Sequence, residues 1–179
     1  MAWRLAVDIG GNKGVYTMFL VLHSKRVITF EPNPELCTML RQRYAKYPVD
    51  IVNVALGAEA GKTQLQIPLL QGEELHGLAQ IGSQEPEIEW RGNNLNEFRT
   101  IDVDIRGIDD ELIENVGFVK VDVEGAELNV LKGAVKMLQR EQPNLLIECE
   151  QRHCGSEQQH ELFAFLDALN YAGYYFYKD

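Results

Sequence analysis

Gly10, Gly11 and Gly14 crowd into five residues directly after the apolar run Leu5-Ala6-Val7-Asp8-Ile9. Glycine accepts positive φ, and without a Cβ it lets a ligand approach the backbone closely. A short buried strand, a glycine turn and the apolar stretch Val15 to Leu22 make the first half of a nucleotide-binding βαβ unit. The glycines at 10, 11 and 14 do not match the 1, 3, 6 spacing of the dinucleotide fingerprint, which argues against NAD or FAD. Asp8 at the strand end suits a cation better than a phosphate. Taken alone, the turn fits a plain βα connection as well as a binding site.

Glu31 strengthens the binding reading. It ends the next apolar run, Arg26-Val27-Ile28-Thr29-Phe30, about twenty residues beyond the glycine turn. That is the usual interval for an acid that accepts from ribose hydroxyls. Pro32 and Pro34 stiffen the loop that presents it. The same acid would also be unremarkable as a solvated strand end, and it is the paired spacing that favours a ligand. A second set of chemical groups, Asp122, Glu124, Glu148 and His153, falls near the ends of later strands. Lys120 stands inside an apolar strand and needs a partner, either Asp122 two residues on or Glu148 on the adjacent strand.

The elements that must position these groups alternate. Strands are expected at Leu5 to Ile9, Arg26 to Phe30, Val49 to Leu56, Gly117 to Val123 and Asn144 to Cys149, with a last one at Tyr174 to Tyr177. Helices are expected at Val15 to Leu22, at Pro34 to Tyr47 with Asn33 as N-cap, at Glu124 to Gln139 and around Leu162 to Leu169. Lys62 to Ile67 alternates polar and apolar and is expected to pair with Thr100 to Ile105. Pro68 to Arg99 shows no sustained period and reads as a mobile loop over the site, with His76, Trp90 and Arg91 as substrate contacts. The fold expected is α/β: a Rossmann-like, doubly wound, mostly parallel sheet with helices on both faces. In the strand order 3-2-1-4-5, the first and fourth strands are neighbours where the order reverses. Asp8 to Gly14, Glu31 and Asp122 to Glu124 then surround one crevice.

Composition narrows the class. The 179 residues, 45% of them hydrophobic, suit one domain spanning 1–179 with a sizeable core. A formal net charge of −10 disfavours non-specific binding to nucleic acid. No apolar run reaches the ~18 residues of a membrane span. The three cysteines, Cys37, Cys149 and Cys154, are odd in number and lack CxxC spacing, so a reducing, cytoplasmic location is expected. His153-Cys154 near Glu148 and Glu150 lacks further ligands at metal-site spacing, and no metal is expected.

Four blocks carry a family resemblance: Val7-Asp8-Ile9-Gly10-Gly11-Asn12-Lys13-Gly14-Val15-Tyr16-Thr17, Phe30-Glu31-Pro32-Asn33-Pro34, Asn53-Val54-Ala55-Leu56-Gly57 and Val119-Lys120-Val121-Asp122-Val123-Glu124-Gly125-Ala126-Glu127. In this order the chain resembles the FkbM-type methyltransferases. The last block, followed by Leu131-Lys132-Gly133-Ala134, is the most specific. The resemblance implies S-adenosylmethionine as cofactor, held by Asp8, Gly10, Gly11, Asn12, Gly14, Thr17, Glu31, Pro32, Asn33, Asn53 and Ala55. It implies O-methylation of a hydroxylated small molecule such as a sugar or polyketide.

Methyl transfer from a sulfonium needs alignment above all, and a hydroxyl acceptor must also lose a proton. Asp122, Glu124, Glu148 and His153 are the candidates for that base. Relatives carry chain before the first strand and beyond the Gly173 to Tyr177 region. Only four residues precede Leu5 here and the chain stops at Asp179, so the usual last antiparallel strand is expected to be missing. The open edge that would leave favours a homo-oligomer. Two alternatives stand beside the enzyme reading: a catalytically inactive cofactor-binding or interaction domain of the same fold, and a Rossmann-type NAD oxidoreductase.

Overall fold

A computed structural model describes residues 4–82, 86–149 and 151–174, with the side chains of 151–155 excepted. Five parallel strands form its central sheet: β1 (Leu5–Ile9), β2 (Val27–Phe30) and β3 (Val49–Val52), with β11 (Val116–Val121) and β12 (Asn144–Ile147) on the far side of β1. The spatial order β12-β11-β1-β2-β3 is the 3-2-1-4-5 arrangement expected, and its reversal lies between β1 and β11. Parallel strands covered on both faces read as near-continuous apolar runs. Accordingly every residue of β1 and β2 is buried.

Helices cover the two faces. α1 (Val15–His23) and α2 (Pro34–Arg43) lie on one face, where Leu20 of α1 packs on Ala6 and Val27. α3 (Glu127–Lys132), α4 (Val135–Glu141) and α5 (Gln151–Ala168) lie on the other, where Leu128, Leu131, Leu138 and Leu162 pack on Val7, Ile9, Val119 and Val121. α1 is apolar on its outer side too. Val15, Phe19 and Leu22 stand 77%, 50% and 72% exposed, and with Met18 they form one i, i+3, i+4, i+7 stripe. Among the described residues no helix is long and apolar enough to cross a membrane.

The segment between β3 and β11 differs from expectation in two places. Val49 to Leu56 is not one strand. β3 ends at Val52, and after Asn53-Val54 the chain enters β4 (Ala55–Leu56), which pairs in parallel with β10 (Phe98–Arg106) in a second sheet. Pro68 to Arg99 is not a structureless loop. β5 (Gly61–Leu70) pairs antiparallel with β10 from Gly61↔Ile105 to Pro68↔Phe98, as the alternation had indicated.

Between them lie short strands, β6 (Glu73–Glu74), β7 (Gln80–Ile81), β8 (Ile88–Trp90) and β9 (Asn93–Leu95), and a 3-10 turn at His76–Leu78. β6 and β7 join β5, and β8 and β9 form their own hairpin. Leu78, Ile88 and Leu95 make a small core with Leu70, Leu75, Trp90 and Phe98. Strands of two or three residues carry no readable period, which is why the sequence shows none here.

The expected helix Glu124 to Gln139 is broken in two. α3 begins at Glu127 and stops at Gly133. A Cβ built on Gly133 would lie 1.9 Å from the Gly57 carbonyl oxygen, so backbone meets backbone there. α4 restarts two residues on, and its first turn is capped from outside: Asp109 accepts from the amides of Lys136 and Met137. Of the expected last strand, Tyr174 is unpaired coil and 175–177 lie outside the described residues.

Gly133→Ala must displace the Gly57 backbone and is expected to cost about 1–3 kcal/mol of stability, the range for overpacking. Gly82→Ala, where nothing lies within 4 Å of the added Cβ, should stay within about 0.5 kcal/mol of the parent. Urea unfolding of the two variants checks both values.

Candidate functional site

Beyond the carboxyl ends of β1, β2 and β11 lies a cavity of about 280 Å³. The glycine turn, the Glu31 loop and the β11 end form its floor through Gly10, Asn12, Glu31, Pro32, Asp122 and Glu124. Phe30, Val54, Leu56, Leu65, Ala79 and Ile81 supply an apolar wall, His76 and Gly77 line the cavity from the turn between β6 and β7, and Glu148 closes the β12 side. This is the position at which open α/β sheets hold their ligands.

Glu31 is fixed from every side. Its carboxylate accepts from the amide of Asn12 at 2.7 Å and that of Asn33 at 2.8 Å. Its carbonyl accepts from Asn53 Nδ2 at 2.9 Å and Cys37 Sγ at 3.0 Å. Asn33 caps α2, accepting from the amides of Glu35 and Leu36, and Asn53 also donates to the Pro32 carbonyl. Asn33 and Asn53 therefore build the loop and are absent from the cavity wall. Burial raises the Glu31 carboxyl above its ordinary value, against the pull of the two amides and Lys120. The Asn12 side chain leaves its Oδ1 buried without a hydrogen-bond partner.

Beneath the turn lies a buried ion pair. Asp8 is fully buried, 0% exposed, and Lys120 is 3% exposed. The two stand opposite each other in the β1–β11 register. Lys120 Nζ lies 3.3 Å from Asp8 Oδ1 and 3.4 Å from Asp122 Oδ2. It also donates to the carbonyls of Ile9 at 3.2 Å and Gly10 at 2.8 Å. Thr17 Oγ1 donates to Asp8 Oδ2 at 2.6 Å. Burial pushes the Asp8 carboxyl up, and Lys120 and Thr17 pull it back. Lys120 thus does pair with Asp122, as the shared strand face suggested, but its buried partner is Asp8.

Asp8, Thr17, Gly11 and Gly14 stand behind the turn and do not line the cavity. A Cβ on Gly11 would fall 2.3 Å from Thr29 Cγ2, and one on Gly14 would fall 2.6 Å from Leu40 Cδ2. At Gly10 the glycine is required by the protein itself. Its φ is +78°, and a Cβ would lie 1.9 Å from the Asp122 carbonyl oxygen. Close approach of a ligand is therefore not what first demands a glycine at this position. Gly10, Asn12, Glu31, Pro32 and Ala55 do line the cavity.

Of the candidate bases, Asp122, Glu124 and Glu148 line the same cavity. Glu124 sits in the left-handed region at φ +51°, followed by Gly125 at +96°. The turn is held by Glu127, buried at the start of α3, whose Oε1 accepts from the amides of Gly125 at 3.0 Å and Val123 at 3.4 Å. His153 falls within α5, and its side chain lies outside the described residues. Sequence reasoning missed the apolar wall from Val54, Leu56, Leu65 and Ile81, whose residues come from the second sheet and from the chain leaving β3.

Lys120→Met leaves Asp8 buried beside an apolar chain. It is expected to cost about 3–5 kcal/mol, and Asp8→Asn in the same protein should recover much of that loss. Denaturant unfolding of the single and double variants measures this. The raised Glu31 carboxyl gives a second expectation, of definite sign. The stability that Glu31 contributes is full in acid, below its ordinary value of 4.5, and is lost as pH rises through the raised value. The difference in unfolding free energy between the parent and Glu31→Gln should therefore shrink from pH 4.5 upward, read from urea curves across the pH range.

Comparison with known proteins bears on this geometry. The family model described as the methyltransferase FkbM domain matches residues 8–176. Methyltransferase 1 of Beauveria bassiana is 25% identical over 142 residues, covering 71% of this chain and 57% of that protein. Methyltransferase sdnD of Sordaria araneosa is 26% identical over 156 residues, covering 71% of this chain and 59% of that one. The chain thus spans somewhat over half the length of these curated relatives. The crystal structure of methyltransferase FkbM from Methylobacillus flagellatus KT superimposes with a TM-score of 0.62 at 20% identity, over 93% of this chain and 37% of that one, a likeness of fold.

Proposed function

The chain belongs to the FkbM methyltransferase family, and on that footing we propose that it uses S-adenosylmethionine to methylate a hydroxyl of a small molecule such as a sugar or polyketide. The observation that carries the reading is the cavity at the β1–β11 reversal, where buried, rigidly held Glu31 faces an apolar wall. The residues present fit the cofactor. A purine suits the wall formed by Phe30, Val54, Leu56 and Leu65, and ribose hydroxyls suit Glu31. Each carboxylate oxygen retains acceptor capacity beyond the one amide it already binds.

When bound, the cofactor supplies an activated methyl group on a sulfonium. The protein's own contribution is alignment, a factor that can supply roughly 7–11 kcal/mol of a barrier. Gly10, held by Lys120 and abutting Asp122, fixes the cavity floor that a bound donor would meet. Asp122, Glu124 and Glu148 stand on the β11–β12 side of the cavity, where an acceptor hydroxyl would lose its proton. A positioned base contributes about 10²–10⁴-fold. Glu124 is held there in a left-handed conformation that only a well-supported turn sustains.

Calorimetric titration tests the cofactor directly: S-adenosylmethionine should bind and NAD should not. Glu31→Ala should weaken binding at least about tenfold, the worth of one charge-assisted hydrogen bond. Parent affinity in a folded Glu31→Ala protein would overturn the assignment of the ribose to Glu31.

A further inference from the structure

The inserted second sheet brings a histidine into the cavity that neither the glycine turn nor the strand-end acids account for. His76 and Gly77 line it together with Asn12 and Glu31. A Cβ built on Gly77 would stand 3.9 Å from Asn12 Nδ2, so this turn lies against the residue whose amide holds Glu31. His76 Nε2 faces Glu74 Oε2 at 3.6 Å. Nδ1 is buried and has no partner, and neither has Asn12 Oδ1 across the seam. Buried polar atoms in native structures are almost always paired, and His76 and Asn12 both line this cavity, so either side chain would gain a partner by turning its orphaned atom toward a ligand there.

The placement of His76 is fixed from outside the cavity. Glu74 Oε1 accepts from Arg99 Nη1 at 2.6 Å. Arg99 on β10 also forks onto both oxygens of Glu35, in the first turn of the helix that follows Glu31-Pro32-Asn33. The chain Glu35–Arg99–Glu74–His76 therefore ties the second sheet to the loop that presents Glu31. Arg99 does not line the cavity, so any effect it has on a ligand must pass through its partners.

We propose that the His76-Gly77 turn is the second wall of the nucleoside site. The His76 ring hydrogen-bonds a ribose hydroxyl opposite Glu31, and Arg99 is the positioning residue that sets His76 through Glu74. This rests on the reading of the cavity as an S-adenosylmethionine site.

The test is calorimetry with S-adenosylhomocysteine and with its 2′,3′-dideoxy analogue, which keeps the base and the amino-acid tail but has no ribose hydroxyls. The parent should prefer the hydroxylated ligand. His76→Ala should bind S-adenosylhomocysteine about tenfold more weakly yet bind the dideoxy analogue like the parent. His76→Asn, with a short polar group near the place of Nδ1, should regain part of the loss. Arg99→Gln should reproduce the selective loss, and the His76→Ala, Arg99→Gln double variant should lose no more than His76→Ala alone.

Equal losses for both ligands would mean that the turn only supports the pocket, and would overturn the proposal. So would full discrimination in folded His76→Ala. If the parent binds neither ligand, the S-adenosylmethionine reading of the cavity itself falls and this proposal falls with it, an outcome distinct from the other two.

Discussion

The fold depends on a buried charge pair between its two halves. Asp8 and Lys120 face each other across the β1–β11 seam, where the strand order reverses. Removing two charges from water is costly, and mutual attraction offsets that cost only when the remaining donors and acceptors are also satisfied. Lys120 meets this condition by turning further donors onto the carbonyls of Ile9 and Gly10, and Asp8 meets it at Oδ2 through Thr17 of α1, while its Oδ1 has the Lys120 ion pair alone. The pair therefore holds together β1, β11, α1 and the turn that opens the cavity. Because it pulls the Gly10 carbonyl toward β11, the Gly10 backbone comes to rest against Asp122, and no side chain fits between them.

Rigidity of this kind propagates to the cavity. Glu31 is presented by a loop in which its carboxylate accepts from the backbone amides of Asn12 and Asn33, and the carbonyls of Glu31 and Pro32 accept from the Asn53 side chain. A carboxylate bound this way has little rotamer freedom left to lose when a ligand arrives, which is the physical content of preorganisation. The acids on the β11 side are organised differently. They belong to a turn of left-handed residues pinned by Glu127. The two sides of the cavity are thus built by separate local devices that meet at the Asp8–Lys120 seam.

Much of this was legible in the chain because its signals are local. An apolar run followed by glycines marked β1 and its turn, Asn33-Pro34 marked the start of α2, and the alternation of β5 and β10 marked their pairing. What escaped depends on long-range register or on short pieces. A shared strand face linked Lys120 to Asp122, but only the β1–β11 register places Asp8 opposite it. Val49 to Leu56 reads as one apolar run because both halves are strand. Nothing local says that the chain changes sheets at Asn53-Val54. Gly133 in a helical period was a signal passed over: it marks the point where Gly57 comes too close for any Cβ. In the site, the glycines and Glu31 were visible by spacing. His76 was named as a substrate contact, but the apolar wall was not seen, because Val54, Leu56, Leu65 and Ile81 come from separate segments that only the pairing of the second sheet brings together.

The outer stripe of α1 bears on how this protein behaves in concentrated solution. Val15, Met18, Phe19 and Leu22 present an apolar ridge to water, and the formal net charge of −10 keeps like molecules apart. These opposing forces respond differently to salt. Screening lengths shrink to about 10 Å at 0.1 M and to about 3 Å at 1 M, whereas attraction between apolar ridges does not weaken and is strengthened by excluded anions such as sulfate. Colloidal stability should therefore be greatest in dilute buffer and fall as salt is added, the reverse of a protein whose self-association is electrostatic.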